Sequence, residues 1–205
     1  MSGWQSRSEL SREEEELAAR IHFDEAVLRF VKKNDVEELQ QLTVTDWNQA
    51  GNPFEAPVKG LAFSAYPERA RQLLSCLRKS LQPKGYLVFL AERGEGDQPD
   101  KVAIIQGTDQ YAIPRTMKTD APNHDLTNHD IITWLKKCQK RYPFDIIGAG
   151  RDWVETRLHR LPDDVPELAR QVEAFSPDVV SQGVDTLENL ARAIRRAKGF
   201  YLWWD

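Results

Sequence analysis

Hydrophobic and polar positions alternate in blocks that change period along the chain. Over residues 11–33, Leu17, Ile21, Leu28 and Val31 fall at helical spacing, and Ser11 with Glu14 forms an S-x-x-E capping signature. This predicts one or two helices. Asn34 and Asp35 interrupt the pattern, and residues 43–60, with Asn52, Pro53 and Pro57, read as an irregular connector. GLAFSA (60–65) reads as a short strand. Pro67 then opens a helix whose stripe is Ala70, Leu73, Leu74, Leu77 and Leu81. YLVFLAE (86–92) and VAIIQG (102–107), separated by the polar RGEGDQPD, read as a hairpin. A second helix runs from Thr127 to Tyr142 with Ile131, Leu135, Cys138 and Tyr142 in register. FDIIGA (144–149) and DWVETRL (152–158) are strands joined by a tight glycine turn. Three helical pieces fill 164–197, and FYLWW closes the chain as a strand.

The order over 60–149 is βαββαβ, the ferredoxin-like alternation, followed by a β-α-α-α-β unit. The expected fold is therefore α+β, with helices mainly on one face of a mixed or antiparallel sheet. Residues 1–56 read as an N-terminal helical accessory segment and connector, and 57–205 as the α+β domain.

The 205 residues are 40% hydrophobic and 29% charged, an ordinary globular composition with length for a sizeable core. A formal net charge of −4 provides no positive field to hold a phosphate backbone, which argues against nucleic acid as a partner. No apolar run reaches the roughly 18–20 residues of a membrane span. MSGWQSRSELSREEEEL carries no apolar signal segment, so the expected location is cytoplasmic. Cys76 and Cys138 both lie in helical patterns and read as buried reduced thiols.

Four stretches hold candidate chemistry. In GAGRDWVE (148–155) the segment after the glycines reads as a strand, so a hairpin turn explains them better than a phosphate loop, which needs a following helix. Asp152 and Glu155 are three apart, which in a regular strand places them on opposite faces. SPDVVSQGVDTLE (176–188) offers Ser176, Asp178, Gln182 and Asp185. Most of it reads as punctuation: Ser176 and Pro177 starting a short helix, Asp178 at its positive end, Gly183 at a left-handed exit, and Asp185 with Glu188 as a capping box. Gln182 alone is left without a structural role. NHDLTNHD (123–130) holds His124 and His129, five apart across a helix start, which is poor metal-ligand spacing; no metal and no cofactor is expected. The basic clusters KKCQKR (136–141) and RAIRRAK (192–198) fall in the last turns of helices, where cations complement the helix dipole. No G-x-S-x-G elbow supports a serine triad.

DIIGAGRDWVE (145–155), FSPDVVSQGVDTLENLA (175–191) and YLWWD (201–205), in that order and spacing, resemble the bacterial family catalogued as domain of unknown function 4253. APNHDLTNHDII (121–132) is similar to the segment preceding these motifs, and the resemblance covers about residues 100–205. It implies Asp152, Trp153, Glu155, Pro177, Asp178, Gln182, Gly183, Trp203, Trp204 and Asp205 as shared residues. Ser176 departs from the pattern, which often carries cysteine before Pro-Asp, and so implies no cysteine chemistry here. The family supplies no established activity. It implies genomic proximity of some members to toxin–immunity or other conflict systems.

The expectation is a non-enzymatic bacterial binding or interaction protein, with an immunity-type role as its specific version and another protein as partner. The alternative is a small enzyme or ligand-binding protein with an acidic, Trp-lined pocket for a small molecule. Its binding candidates are Asp152, Trp153, Glu155, Asp178, Gln182, Trp203 and Asp205. In the terminal strand, Phe200, Leu202 and Trp204 share one face, expected to be core, and Tyr201, Trp203 and Asp205 share the other, expected to meet a partner.

Overall fold

A computed structural model describes residues 9–36 and 38–205. The first eight residues, part of the acidic N-terminal stretch, lie outside the described residues, as does Glu37. The architecture is α+β, and the chain divides into two compact units, residues 1–109 and 110–205.

In the first unit, the Ser11–Glu14 capping box is formed in both directions and starts α1 (Arg12–Ile21). His22 exits in the left-handed region at φ 61°, and Asp24 caps α2 (Glu25–Lys32) by accepting from Ala26 N–H. A largely buried ion pair, Lys32 Nζ to Glu14 Oε1 at 2.7 Å, ties the two helices. The connector expected over 43–60 is instead an antiparallel hairpin of β1 (Gln40–Trp47) and β2 (Pro53–Ala65). The β-branched run Thr43-Val44-Thr45 favours extension, and Leu42 and Val44 are buried against the core. Pro57 is accommodated because the register of β1 shifts between Gln41 and Thr43, beside the rung where proline has no N–H to give.

Next come α3 (Pro67–Leu81), β3 (Tyr86–Glu92) and β4 (Asp100–Gln106). Ala70, Leu73, Leu77 and Leu81 form the buried stripe of α3, with Leu74 packed at its margin. β3 and β4 make the expected hairpin, and β4 also pairs antiparallel with β2, so β4 lies between the strands that α3 connects. The core joins the α1 and α2 stripes to Leu61, Phe63, Val88, Val102 and Ile104. Cys76 is exposed on α3, contrary to the buried thiol expected, because its position falls on the flank of the leucine stripe and outside it.

The second unit begins with the short α4 (Ala112–Thr116) and a single 3-10 turn at Pro122–His124. Thr127 and Asp130 form a complete capping box for α5 (Asn128–Arg141). β5 (Phe144–Ala149), β6 (Trp153–Leu158) and β7 (Tyr201–Trp203) form consecutive antiparallel pairs, with a register shift in β5 between Ile146 and Gly148. Between β6 and β7 lie α6 (Val165–Phe175), a π-helical turn (Val179–Val184) and α7 (Leu187–Ala197). The core is aromatic. Phe200 meets Phe144 and Trp134 edge-on, Trp134 stacks on Phe175, and Phe175 meets Trp204 edge-on at 5.6 Å.

Candidate functional site

The 3-10 turn, the loop after α6 and the end of β7 bring together side chains from distant parts of the sequence. Ser176 is fully buried, and its one oxygen serves both backbone groups of Trp203. It accepts from Trp203 N–H at 2.9 Å and donates to Trp203 C=O at 2.7 Å. The hydroxyl thus takes the place of a neighbouring strand along β7. On β6, the Thr156 hydroxyl likewise serves both backbone groups of Phe200, donating to its C=O at 2.9 Å and accepting from its N–H at 3.1 Å. Trp204 is anchored twice, by its backbone N–H to Asp152 C=O and by its indole N–H to Phe175 C=O.

Asp178 completes the clasp. Its Oδ2 accepts from Asp205 N–H at 3.0 Å and lies 2.7 Å from His124 Nε2, while Asn123 Nδ2 donates to Asp205 C=O at 2.9 Å. The Asp205 amide, aided by His124 and the Gln182 side chain, holds the Asp178 carboxyl below its ordinary pKa, although burial opposes this. Asp152 moves the other way. The protein mass around its carboxyl pushes the pKa up, and the nearby Asp205 charge adds to this, while a hydrogen bond from the Trp203 side chain opposes the rise.

These positions revise the expected roles of 176–188. Ser176 is bound to Trp203 rather than capping a helix. The left-handed exit belongs to Asp185, at φ 68°, rather than Gly183, which lies inside the π-helical turn. The cap of α7 is Thr186, whose hydroxyl accepts from Asn189 N–H at 3.1 Å, in place of an Asp185–Glu188 box. Gln182 finds its partner in Asp178.

Among the candidates, Asp178, Gln182 and Asp205 are therefore gathered at one place, and Asp152 with Trp203 adjoins them through Asp205. Trp153 lies over Gly150, where an added Cβ would come within 2.1 Å of the indole nitrogen. Trp153 stands opposite Trp203 in the ladder, and Glu155 opposite Tyr201. Cross-strand partners share a face, so Trp153, Glu155, Tyr201 and Trp203 line one side of the β6–β7 ribbon. The Trp153 and Tyr201 rings stack at 5.8 Å and 28°. Val154, Leu202, Phe200 and Trp204 occupy the other side and are buried. Asp152 lies in the turn before β6, so strand alternation does not govern its side chain. Sequence reasoning missed Asn123, His124 and Ser176 as members of the site. The histidine stands at poor metal-ligand spacing in the sequence, and its aspartate partner lies 54 residues further on. No group of three His, Cys, Asp or Glu side chains that could hold a metal occurs among the described residues.

Residues 101–205, just over half of the chain, match the family described as Domain of unknown function (DUF4253). The chain belongs to this family. No curated protein and no solved structure matches it. The DUF4253 match contains the whole clasp, from Asn123 to Asp205, and both strands of the aromatic ribbon. No helix among the described residues is long and apolar enough to cross a membrane.

Proposed function

We propose that this DUF4253 protein is a non-enzymatic binding or interaction module of the bacterial cytoplasm, with the β6–β7 ribbon as its contact face. The observation that carries this reading is the division of labour in 200–205. Ser176, Asp178 and Asn123 fasten the backbone of the strand, while Tyr201 and Trp203 stay half-buried beside Glu155, Asp152 and Asp205. Aromatic faces flanked by carboxylates favour a cationic counterpart, through cation–π contact and charge complementarity. The partner is accordingly a protein with a basic segment, and an immunity-type role against a toxin is its specific form. Of the ferredoxin-like alternation expected over 60–149, the proposal keeps the β2–α3–β3–β4 portion, which the placement of β4 between β2 and β3 supports.

The test is quantitative capture from the host with the wild-type chain, Trp203→Ala and Glu155→Gln as parallel baits. The expected result is a basic protein retained by the wild type and reduced at least about tenfold by either substitution, equivalent to about 1.4 kcal/mol. Recovery of the same proteins by all three baits would overturn the contact face. The ligand-binding alternative draws on one specific observation, the Asp152 carboxyl with its raised pKa beside the Trp203 side chain. It predicts small-molecule binding lost in Asp152→Asn, with protein capture unaffected.

A further inference from the structure

The basic cluster at the end of α5 has a use that helix-dipole compensation does not explain. Trp134, Lys137, Cys138 and Arg141 stand at positions i, i+3, i+4 and i+7 on one side of α5. Opposite them, α6 presents Gln171, Ala174 and Phe175, and an open groove of about 590 Å³ runs between the two helices. This is the size of a small-molecule site. The wall includes a half-buried aromatic pair, since Trp134 and Phe175 stack on one another at 4.5 Å and 6°.

The charge of the groove is one-sided. No carboxylate lines it, and burial pushes the Cys138 thiol up to about 12, so that it stays neutral. Lys137 has no ion-pair partner among the described residues. Arg141 reaches Glu167 only at 3.8 Å. Glu167 is already engaged by Arg170, at 2.9 and 3.1 Å, and by Gln171 at 2.8 Å. Two exposed cations one helical turn apart, beside a half-buried aromatic pair, thus have one long ion pair between them and a contact of Arg141 with the Tyr142 ring at 5.2 Å.

We propose that the α5–α6 groove binds a small planar organic anion, an aryl carboxylate, with its ring system against Trp134 and Phe175 and its carboxylate held by Lys137 and Arg141. A guanidinium fork matches a carboxylate in geometry as well as charge, and the lysine adds a mobile point charge. The site shares no residue with the β6–β7 contact face, so the two stand independently.

The experiment is calorimetric titration of the full chain with 1-naphthoate and with its uncharged analogue 1-naphthalenemethanol. The wild type should bind naphthoate saturably at one site, and the alcohol at least about tenfold more weakly. Lys137→Ala and Arg141→Ala should each weaken naphthoate about tenfold, which corresponds to about 1.4 kcal/mol. Both side chains are exposed, so these variants keep the fold, and Lys79→Ala, an exposed cation on α3, serves as a control that should leave naphthoate affinity unchanged. Absence of saturable binding, equal affinity for the alcohol, or indifference to both charge substitutions would overturn the site. Loss of naphthoate binding in Lys79→Ala with none in Lys137→Ala would do the same, by placing the ligand elsewhere.

Discussion

At Ser176 a single buried hydroxyl closes two backbone hydrogen bonds, so its removal leaves a donor and an acceptor of Trp203 without partners. Leaving such groups unsatisfied costs about 1–3 kcal/mol, and Ser176→Ala should lose about 2 kcal/mol in urea denaturation. Tyr142 presents the reverse case. Its hydroxyl is buried and has no hydrogen-bond partner among the described residues. Tyr142→Phe should therefore gain about 1 kcal/mol in the same assay. Charge at the clasp makes stability depend on pH in opposed directions. Asp178 has its folded pKa lowered from 3.8, so its contribution is present above that value and is lost as pH falls through the folded pKa. Asp152 has its folded pKa raised, so its contribution is present below 3.8 and is lost as pH rises through the folded value. Melting temperatures followed from about pH 3 to pH 7 should show a flatter acid limb for Asp178→Asn, and higher stability at neutral pH for Asp152→Asn. The same slope in Asp178→Asn as in the wild type would remove the clasp from the acid response.

Two glycines show how closely the elements of the second unit are fitted. A Cβ on Gly199 would meet the Thr156 carbonyl oxygen at 2.0 Å, and one on Gly150 would meet the Trp153 indole nitrogen at 2.1 Å. The first obstacle is backbone within the β6–β7 ladder, whereas the second is a side chain that can rotate. Gly199→Ala should thus lose at least about 3 kcal/mol and Gly150→Ala about 1–2 kcal/mol, an order that denaturation midpoints will check. Element by element, the legible features were local ones. The capping boxes at Ser11 and Thr127 are written in four consecutive residues, and the stripes of α3 and α5 in their spacing. The β1–β2 hairpin was hidden because Asn52, Pro53 and Pro57 are turn residues by type, and only pairing with a partner strand decides that they are extended. The π-helical turn misled for a related reason. Gly183 is the residue best suited to a left-handed exit, yet the extra residue of the turn carries that exit on to Asp185.

Across the chain, the site divides along the same line between local and distant information. Alternation alone separates Phe200, Leu202 and Trp204 from Tyr201 and Trp203, and the structure buries the first three and leaves the other two half-exposed. What holds the strand could not be read in that way, because Ser176, Asp178 and Asn123 reach it across 27 to 82 residues of chain. The net charge of −4 accords with a basic counterpart, and a cationic groove between α5 and α6 is the more notable against that background. The central claim is that 200–205 is core on one side and contact surface on the other. Urea denaturation of Trp204→Ala and Trp203→Ala side by side tests it most directly. Trp204→Ala should lose about 3–5 kcal/mol, as large core truncations do, and Trp203→Ala less than half as much. Equal losses would contradict the account, since they would make both faces of the strand core.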